Sequence, residues 1–158
     1  MKEKTLTEQE ALQRMAARCS TAELCQHDVL SKLQQWGLDE AAIARIMQYL
    51  TEHRFVDEER YCRAFVNDKV RYAKWGRRKI EQALWQKHID PQLVQQALDD
   101  VDDELYVEML RPQIQAKRQH TTARNEYELN MKLIRWAMGR GYTIEIIRRC
   151  LDTDLEDV

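Results

Sequence analysis

Gly37-Leu38-Asp39 returns 51 residues later as His88-Ile89-Asp90, and 53 residues after that as Gly141-Tyr142-Thr143. Each triplet sets a break residue before an apolar residue and then an N-cap type. The register extends outward. Leu33, Leu84 and Ala137 lie four residues upstream, and Val29, Ile80 and Leu133 lie eight upstream. Ile43, Val94 and Ile147 follow six residues downstream, and Met47, Leu98 and Leu151 follow ten downstream. Apolar residues at these offsets define one face of a helix on each side of a turn. A helix, a break, a cap and a shorter helix therefore recur three times. Another helical pattern precedes each copy, near residues 7–18, 58–73 and 104–119. The sequence predicts an all-α protein of three tandem three-helix repeats: 1–54, a basic 55–102, and 103–158 with an acidic tail. One such unit buries little by itself, so neighbours are expected to pack in a row, giving an elongated, modular chain.

Local signals agree with helices. Thr7 with Glu10 and Ser20 with Glu23 fit the capping-box spacing, in which the hydroxyl accepts a helix-start N–H and the acid reaches back. Asp90-Pro91 places a cap before a proline at the first helical position, and Asp39, Asp57 and Thr143 are further cap candidates. No segment alternates as a strand would, and no Asn-Gly or Asp-Gly hairpin turn occurs.

Composition excludes other classes. The chain has 158 residues, with four Gly and two Pro, so collagen-like and low-complexity readings fall away. Its longest apolar run is four residues, Ala41–Ala44, far short of the roughly 20 that span a bilayer. The opening MKEKTLTEQE has no apolar core of a signal peptide, which predicts a cytoplasmic protein with no membrane contact. Cys19, Cys25, Cys62 and Cys150 are scattered without metal-ligand spacing and read as small packing residues. No metal or cofactor is expected. P-loop, GxGxxG, GxSxG and HExxH patterns are absent.

Charge is the informative part. Lys+Arg number 25 and Asp+Glu 27, for a net charge of −2. Yet Arg63 to Lys79 holds seven cations and one acid, with Tyr72 and Trp75 interleaved. Basic residues broken by aromatics suit phosphate neutralisation and stacking, and they equally suit an acidic protein surface. Arg71, Lys74, Trp75, Arg77, Arg78 and Lys79 are the candidate binding residues. Trp75 fits either a contact or core packing. A second basic surface is expected at Lys132, Arg135 and Arg140. Trp36, Trp85 and Trp136 fall near helix ends and are expected to pack in the core or between modules. Asp99 to Glu104 reads as a solvated acidic joint, and Asp57-Glu58-Glu59 as a cap with first-turn acids.

Arg54-Phe55-Val56-Asp57-Glu58-Glu59-Arg60-Tyr61 resembles the central motif of the RecX family of recombinase regulators. Trp75-Gly76-Arg77-Arg78-Lys79-Ile80, with Leu84 and Lys87-His88-Ile89, resembles the family's next motif, with His88 where a Gly is usual. Lys132-Leu133-Ile134-Arg135-Trp136 and Arg140-Gly141-Tyr142 resemble its C-terminal pattern. The likeness runs over residues 11–152, departing at Cys25 and Asp28-Val29, where the family places Ser or Thr and Glu-Leu. The resemblance implies three three-helix repeats and a non-enzymatic regulator in recombination, DNA repair and the SOS response. Such proteins bind the RecA filament on single-stranded DNA, lie along its groove, and suppress ATP hydrolysis, strand exchange and co-protease activity. A monomer is expected. A stand-alone helical module binding single- or double-stranded DNA competes with this reading, although a pI of 6.1 is low for one. A metal-dependent enzyme built on the acidic clusters is the third.

Overall fold

The computed structural model describes residues 6–151, and within them the regular structure is all helical. The helices are α1 (Glu8–Thr21), α2 (Gln26–Gln35), α3 (Glu40–Glu52), α4 (Glu58–Arg71), α5 (Arg77–Trp85), α6 (Pro91–Asp99), α7 (Asp103–Gln119), α8 (Glu126–Gly139) and α9 (Ile144–Leu151). The acidic residues Asp152, Asp154, Glu156 and Asp157 lie outside the described part.

The repeat register is visible in the backbone. Gly37, His88 and Gly141 all have positive φ, at 81°, 55° and 94°. A left-handed residue after the last helical turn lets the chain reverse while its N–H groups reach the final carbonyls. Leu38 N–H accordingly bonds Leu33 O at 3.4 Å, and Tyr142 N–H bonds Ala137 O at 3.2 Å. His88 takes this conformation with a β-carbon, which explains why glycine suits the position.

Most predicted caps form. Thr7 and Glu10 close a capping box, and Asp39, Asp57 and Asp90 accept from Ala42, Arg60 and Gln92 N–H. Thr143 stands immediately before α9. Asp102 and Asn125 cap α7 and α8, which the sequence reading did not single out. The Ser20–Glu23 cap is corrected. Helix α1 runs through it to Thr21, and the Ser20 hydroxyl donates back to Ala16 O at 3.0 Å, a bond open to any helical serine. Helix α2 starts at Gln26 with Cys25 as an N-cap that makes no side-chain bond. Its first N–H is satisfied from outside: Gln26 donates to Glu58 Oε1 at 2.8 Å.

Packing divides the row of modules unequally. Met15, Val29, Leu33, Ile46 and Leu50 form a core within the first three helices, joined by Val56 from the turn after α3. A second core is continuous across the other six helices and includes Val66, Ile80, Leu84, Leu98, Leu110, Leu133 and Ile147. Burying each such Leu or Ile contributes about 2 kcal/mol. The expectation of three similar modules in a row is therefore refined: the second and third share one interior, and α4 packs on α7.

That sharing depends on a close backbone crossing. Gly76 N–H bonds Arg140 O at 2.9 Å, and Arg78 N–H bonds Gly141 O at 3.0 Å. A β-carbon on Gly76 would stand 2.2 Å from Tyr142 N, and one on Gly141 would stand 2.4 Å from Lys79 Cβ. Only glycines allow the two turns to meet.

Candidate functional site

The basic stretch lies on the end of α4, the turn 72–76 and the start of α5. Lys74 has φ 58°, and Trp75 N–H returns to Lys69 O at 2.9 Å, which folds the turn back over α4. Trp75 packs half-buried against the second core. Lys69 Nζ lies 4.8 Å from its ring centroid and Lys79 Nζ 4.5 Å. The indole thus packs, one of the two uses left open for it, and its ring also holds two cations of the chain in place.

The six predicted residues do not form one patch. Trp75 and Lys79 meet, Lys74 is exposed immediately before the ring, and Lys69 joins them. Lys69 belongs to the counted basic stretch but was not among the candidates. Arg71 is exposed and donates to Asn67 Oδ1 at 2.7 Å. Arg78 is exposed at the margin. Arg77 is withdrawn, pairing with Asp99 at 2.6 Å and donating to Gln95 at 3.0 Å, so its charge ties α5 to the end of α6.

The third module reaches the same place. The Arg140 guanidinium donates to Ala73 O at 3.1 Å and Lys74 O at 3.3 Å. The Tyr142 hydroxyl donates to Lys74 O at 3.0 Å. Arg140 Cζ also lies 5.6 Å from the Trp136 ring centroid, and Lys117 Nζ lies 5.7 Å from it. Lys132 donates to Thr122 O at 2.6 Å and pairs with Glu128 at 3.5 Å, on the lining of the cleft that Arg135 also faces. Arg135 is exposed and, with Lys117, His120 and Trp136, lines an open cleft of about 580 Å³. Arg140 is therefore the member of the second basic surface that joins the first.

Two expectations about the surroundings change. Trp36 and Trp136 pack half-buried against the two cores, but Trp85 is 71 % exposed. It shares a helix face with exposed Arg78 and Gln82, while Ile80 and Leu84 point inward. The acidic joint is also more than solvated charge. Asp99 holds Arg77, Asp102 caps α7, and Glu104 pairs with Arg149. Among the described residues, no group of three His, Cys, Asp or Glu side chains is arranged to hold a metal.

The Arg54–Tyr61 motif is structural. Val56 enters the first core and Tyr61 the second, and between them Asp57 caps α4. Glu58 caps α2 from across the joint, where burial pushes its carboxyl above the usual range against the lowering effect of the Gln26 N–H. Arg60 pairs with Glu23 at 2.6 Å, and that hydrogen bond raises the guanidinium further above its ordinary value. Sequence reading treated this run as a cap with first-turn acids; the structure uses Glu58 and Arg60 to tie the first module to the second.

Fold and site together define a class: a tandem three-helix repeat protein with cations held against tryptophan rings where the second and third modules meet. Two family models agree, "RecX, second three-helix domain" over residues 57–98 and "RecX, third three-helix domain" over residues 103–151, together more than half of the chain. The chain belongs to the RecX family. Among curated relatives, the Regulatory protein RecX of Clostridium botulinum is 30% identical over 122 residues, covering 76% of this chain and 57% of that protein. The Regulatory protein RecX of Acinetobacter baylyi is 24% identical over 131 residues, covering 82% and 78% respectively. This chain thus spans little more than half the length of the first of these. The crystal structure of RecX from Lactobacillus salivarius superposes with a TM-score of 0.79 at 20% identity, covering 96% of this chain and 97% of that one. No described helix is long and apolar enough to cross a membrane.

Proposed function

We propose that this chain is a non-enzymatic regulator that binds the RecA filament on single-stranded DNA and restrains its ATP hydrolysis, strand exchange and co-protease activity. Family membership supports the regulator role. The observation that carries the surface assignment is the Trp75 indole with Lys69 and Lys79 against its ring, beside the Lys74 carbonyl that Arg140 bonds from the third module. It concentrates positive charge on a body whose net charge is −2. Modules spanning 1–54, 55–102 and 103–158 would touch successive protomers, so several weak contacts add as avidity. A chain seated in the filament groove obstructs entry of a duplex and addition of protomers at the growing end. The protein works in the cytoplasm, where the filament forms.

RecA ATPase on single-stranded DNA, with this protein added substoichiometrically, tests the proposal. Inhibition is expected, and none at any ratio would sink the direct mechanism. The surface is tested separately. The R78E/K79E variant should bind the filament several-fold more weakly while keeping its helical content. If it binds like the parent chain, the filament meets another face.

A further inference from the structure

Helix α8 leaves an apolar stripe open to solvent. Tyr127, Met131, Ile134 and Met138 follow one another at i, i+4, i+7 and i+11. At 3.6 residues per turn the four fall within about 60° of arc, while the buried Leu133 and Ala137 of the same helix face the core. Tyr127 is 75 % exposed, Met131 39 % and Met138 48 %, and Ile134 is half-buried at the inner edge. The other large apolar residues exposed among those described, Leu30, Tyr49, Tyr72 and Trp85, stand singly on separate elements, as scattered surface residues do. Charge is uneven across the stripe. On one flank lie Arg135 and the open cleft that it lines with Lys117 and His120, and no acid is among the residues around that cleft. Both acids of α8 are matched already: Glu126 pairs with Arg118, and Glu128 with Arg124 and Lys132. Among the described residues, Lys117 and Arg135 meet no carboxylate within salt-bridge distance. The opposite flank is compensated, with Arg118 donating to Asn130 at 3.1 Å and paired with Glu126.

We infer that α8 is a docking surface for an amphipathic helix of a partner protein, one whose apolar stripe repeats at the same spacing and whose edge on the cleft side is acidic. Alternating steps of four and three residues are those by which one helix packs along another. The stripe is about 16 Å long, which matches three turns of a partner helix. Methionine is unbranched and adapts its side chain to an incoming surface, and Tyr127 offers a large apolar face whose hydroxyl can stay wet. Charge then sets the orientation. An acidic edge laid over Arg135 and Lys117 is matched there, and the same edge turned toward Glu126 is repelled. A second copy of this chain fits poorly. Two antiparallel copies present the same flank to each other, so Arg135 would meet its own like charge. A nucleic acid could match the cleft through its phosphates but would leave the apolar stripe in water. Arg78 and Lys79 are not among the residues lining the cleft, so this surface does not depend on the filament-facing assignment.

The test is a magnetic-resonance titration of the full chain, isotope-labelled at its methionine methyls. The probe is a synthetic helical peptide with Leu at the stripe spacing and Glu along one edge. The Met131 and Met138 signals should shift, and that of Met15, buried in the first core, should stay in place. The same peptide with Lys for Glu should bind several-fold more weakly, and one with its residues scrambled should not bind. M131E/M138E should weaken binding by about tenfold or more. R135E should weaken it several-fold and flatten its salt dependence. R78E/K79E should leave it unchanged, so this surface and the filament-facing one fail independently. All these sites lie at the surface, and unchanged melting temperatures identify folded variants; if M131E/M138E does not fold, R135E and the peptide series on the parent chain decide. Unchanged affinity in M131E/M138E, or equal binding of the scrambled peptide, overturns the stripe. Equal binding of the Lys-edged peptide overturns the acidic partner. Methyl signals that move on dilution before any peptide is added would assign the face to a second copy. Signals that move in D154N/E156Q/D157N would assign it to the chain's own acidic end, and signals that move as far with oligothymidylate would assign it to a nucleic acid. Each of these three results overturns the proposal.

Discussion

The joint between the first and second modules and the joint between the second and third use different chemistry. The first is made of side chains: Arg60 with Glu23 at 2.6 Å, Lys87 with Asp28 at 2.8 Å, Glu58 receiving Gln26 N–H, and the His27 and His88 rings 4.8 Å apart. The hydrophobic core is divided there, with Cys25 alone of the first-module residues joining the second core. Among the described residues the second joint contains no ion pair: two main-chain hydrogen bonds cross between the turns at Gly76 and Gly141, the Arg140 and Tyr142 side chains donate to carbonyls of the facing turn, and the core beneath is undivided. Salt screens partly exposed ion pairs, but leaves buried apolar surface and internal main-chain bonds in place. The second and third modules thus share one interior that carries Trp75 and Trp136, while the first module is attached mainly through charged and polar side-chain contacts. In the proposed filament regulator, one joint insensitive to salt and one sensitive to it would give register together with tolerance.

The strongest way to break the contrast is at Gly76. Its β-carbon would meet Tyr142 N at 2.2 Å, and the clash is with backbone, which has no rotamer to escape into. G76A should lose about 3 kcal/mol in urea unfolding, combining overpacking with the lost crossing bonds. It should also detach Arg140 from the carbonyls of Ala73 and Lys74 and so weaken the basic face. Y142F is the milder version. It removes the hydroxyl that donates to Lys74 O at 3.0 Å and contacts Gln113 Nε2 at 3.2 Å, at a cost of about 1–2 kcal/mol. Neither loss should depend much on salt. A steep salt dependence in Y142F would show that the second joint is electrostatic after all.

How far the sequence foretold these joints depends on the range of each signal. The three triplets were legible because a left-handed turn after a helix needs Gly or a tolerant residue within a few positions, and all three carry positive φ. The caps at Thr7, Asp39, Asp57 and Asp90 were legible for the same local reason. Ser20 misled because a hydroxyl can bond backward inside a helix as readily as forward at its start. The true support for α2 comes from Glu58, 32 residues away. Arg77 looked like binding charge because its partner, Asp99, lies a helix and a turn further on. Trp85 looked like a packing residue until the face it shares with Arg78 and Gln82 turned outward. The meeting of Gly76 with Gly141 is set by tertiary packing that no periodicity encodes. Of the candidate site, the basic residues could be counted from the sequence, but their division into tryptophan-held, paired and free cations could not.

The first joint should yield to charge removal by small amounts. R60M and K87M are each expected to cost about 0.5 kcal/mol at low salt, because the pairs are about one-third exposed. Both losses should fade as salt rises. Energy transfer between dyes on the first and third modules should broaden in R60M/K87M and stay sharp in Y142F. The reverse pattern would exchange the roles of the two joints.

The smallest effect lies in the base limb of stability. The Asp28 hydrogen bond and charge push the Lys87 ammonium above the usual lysine range, against an opposing effect of burial. A cation whose folded value is raised contributes stability that is complete below its unfolded value, about 10.4, and is lost as pH climbs through the folded value. The second core responds to base in the same direction for a different reason. Burial pushes the Cys25 and Cys62 thiols from 9.0 up to about 11, so they resist ionisation folded but not unfolded. The parent chain should therefore lose stability progressively above about pH 9, and that shared loss by itself does not distinguish the joints. The gap between the parent chain and K87M does. It should be about 0.5 kcal/mol at neutral pH and close as Lys87 deprotonates. A gap that persists after the amine is neutral would mean that the lysine's aliphatic stem, rather than its charge, holds the first joint. That joint would then resemble the second more closely than its ion pairs imply.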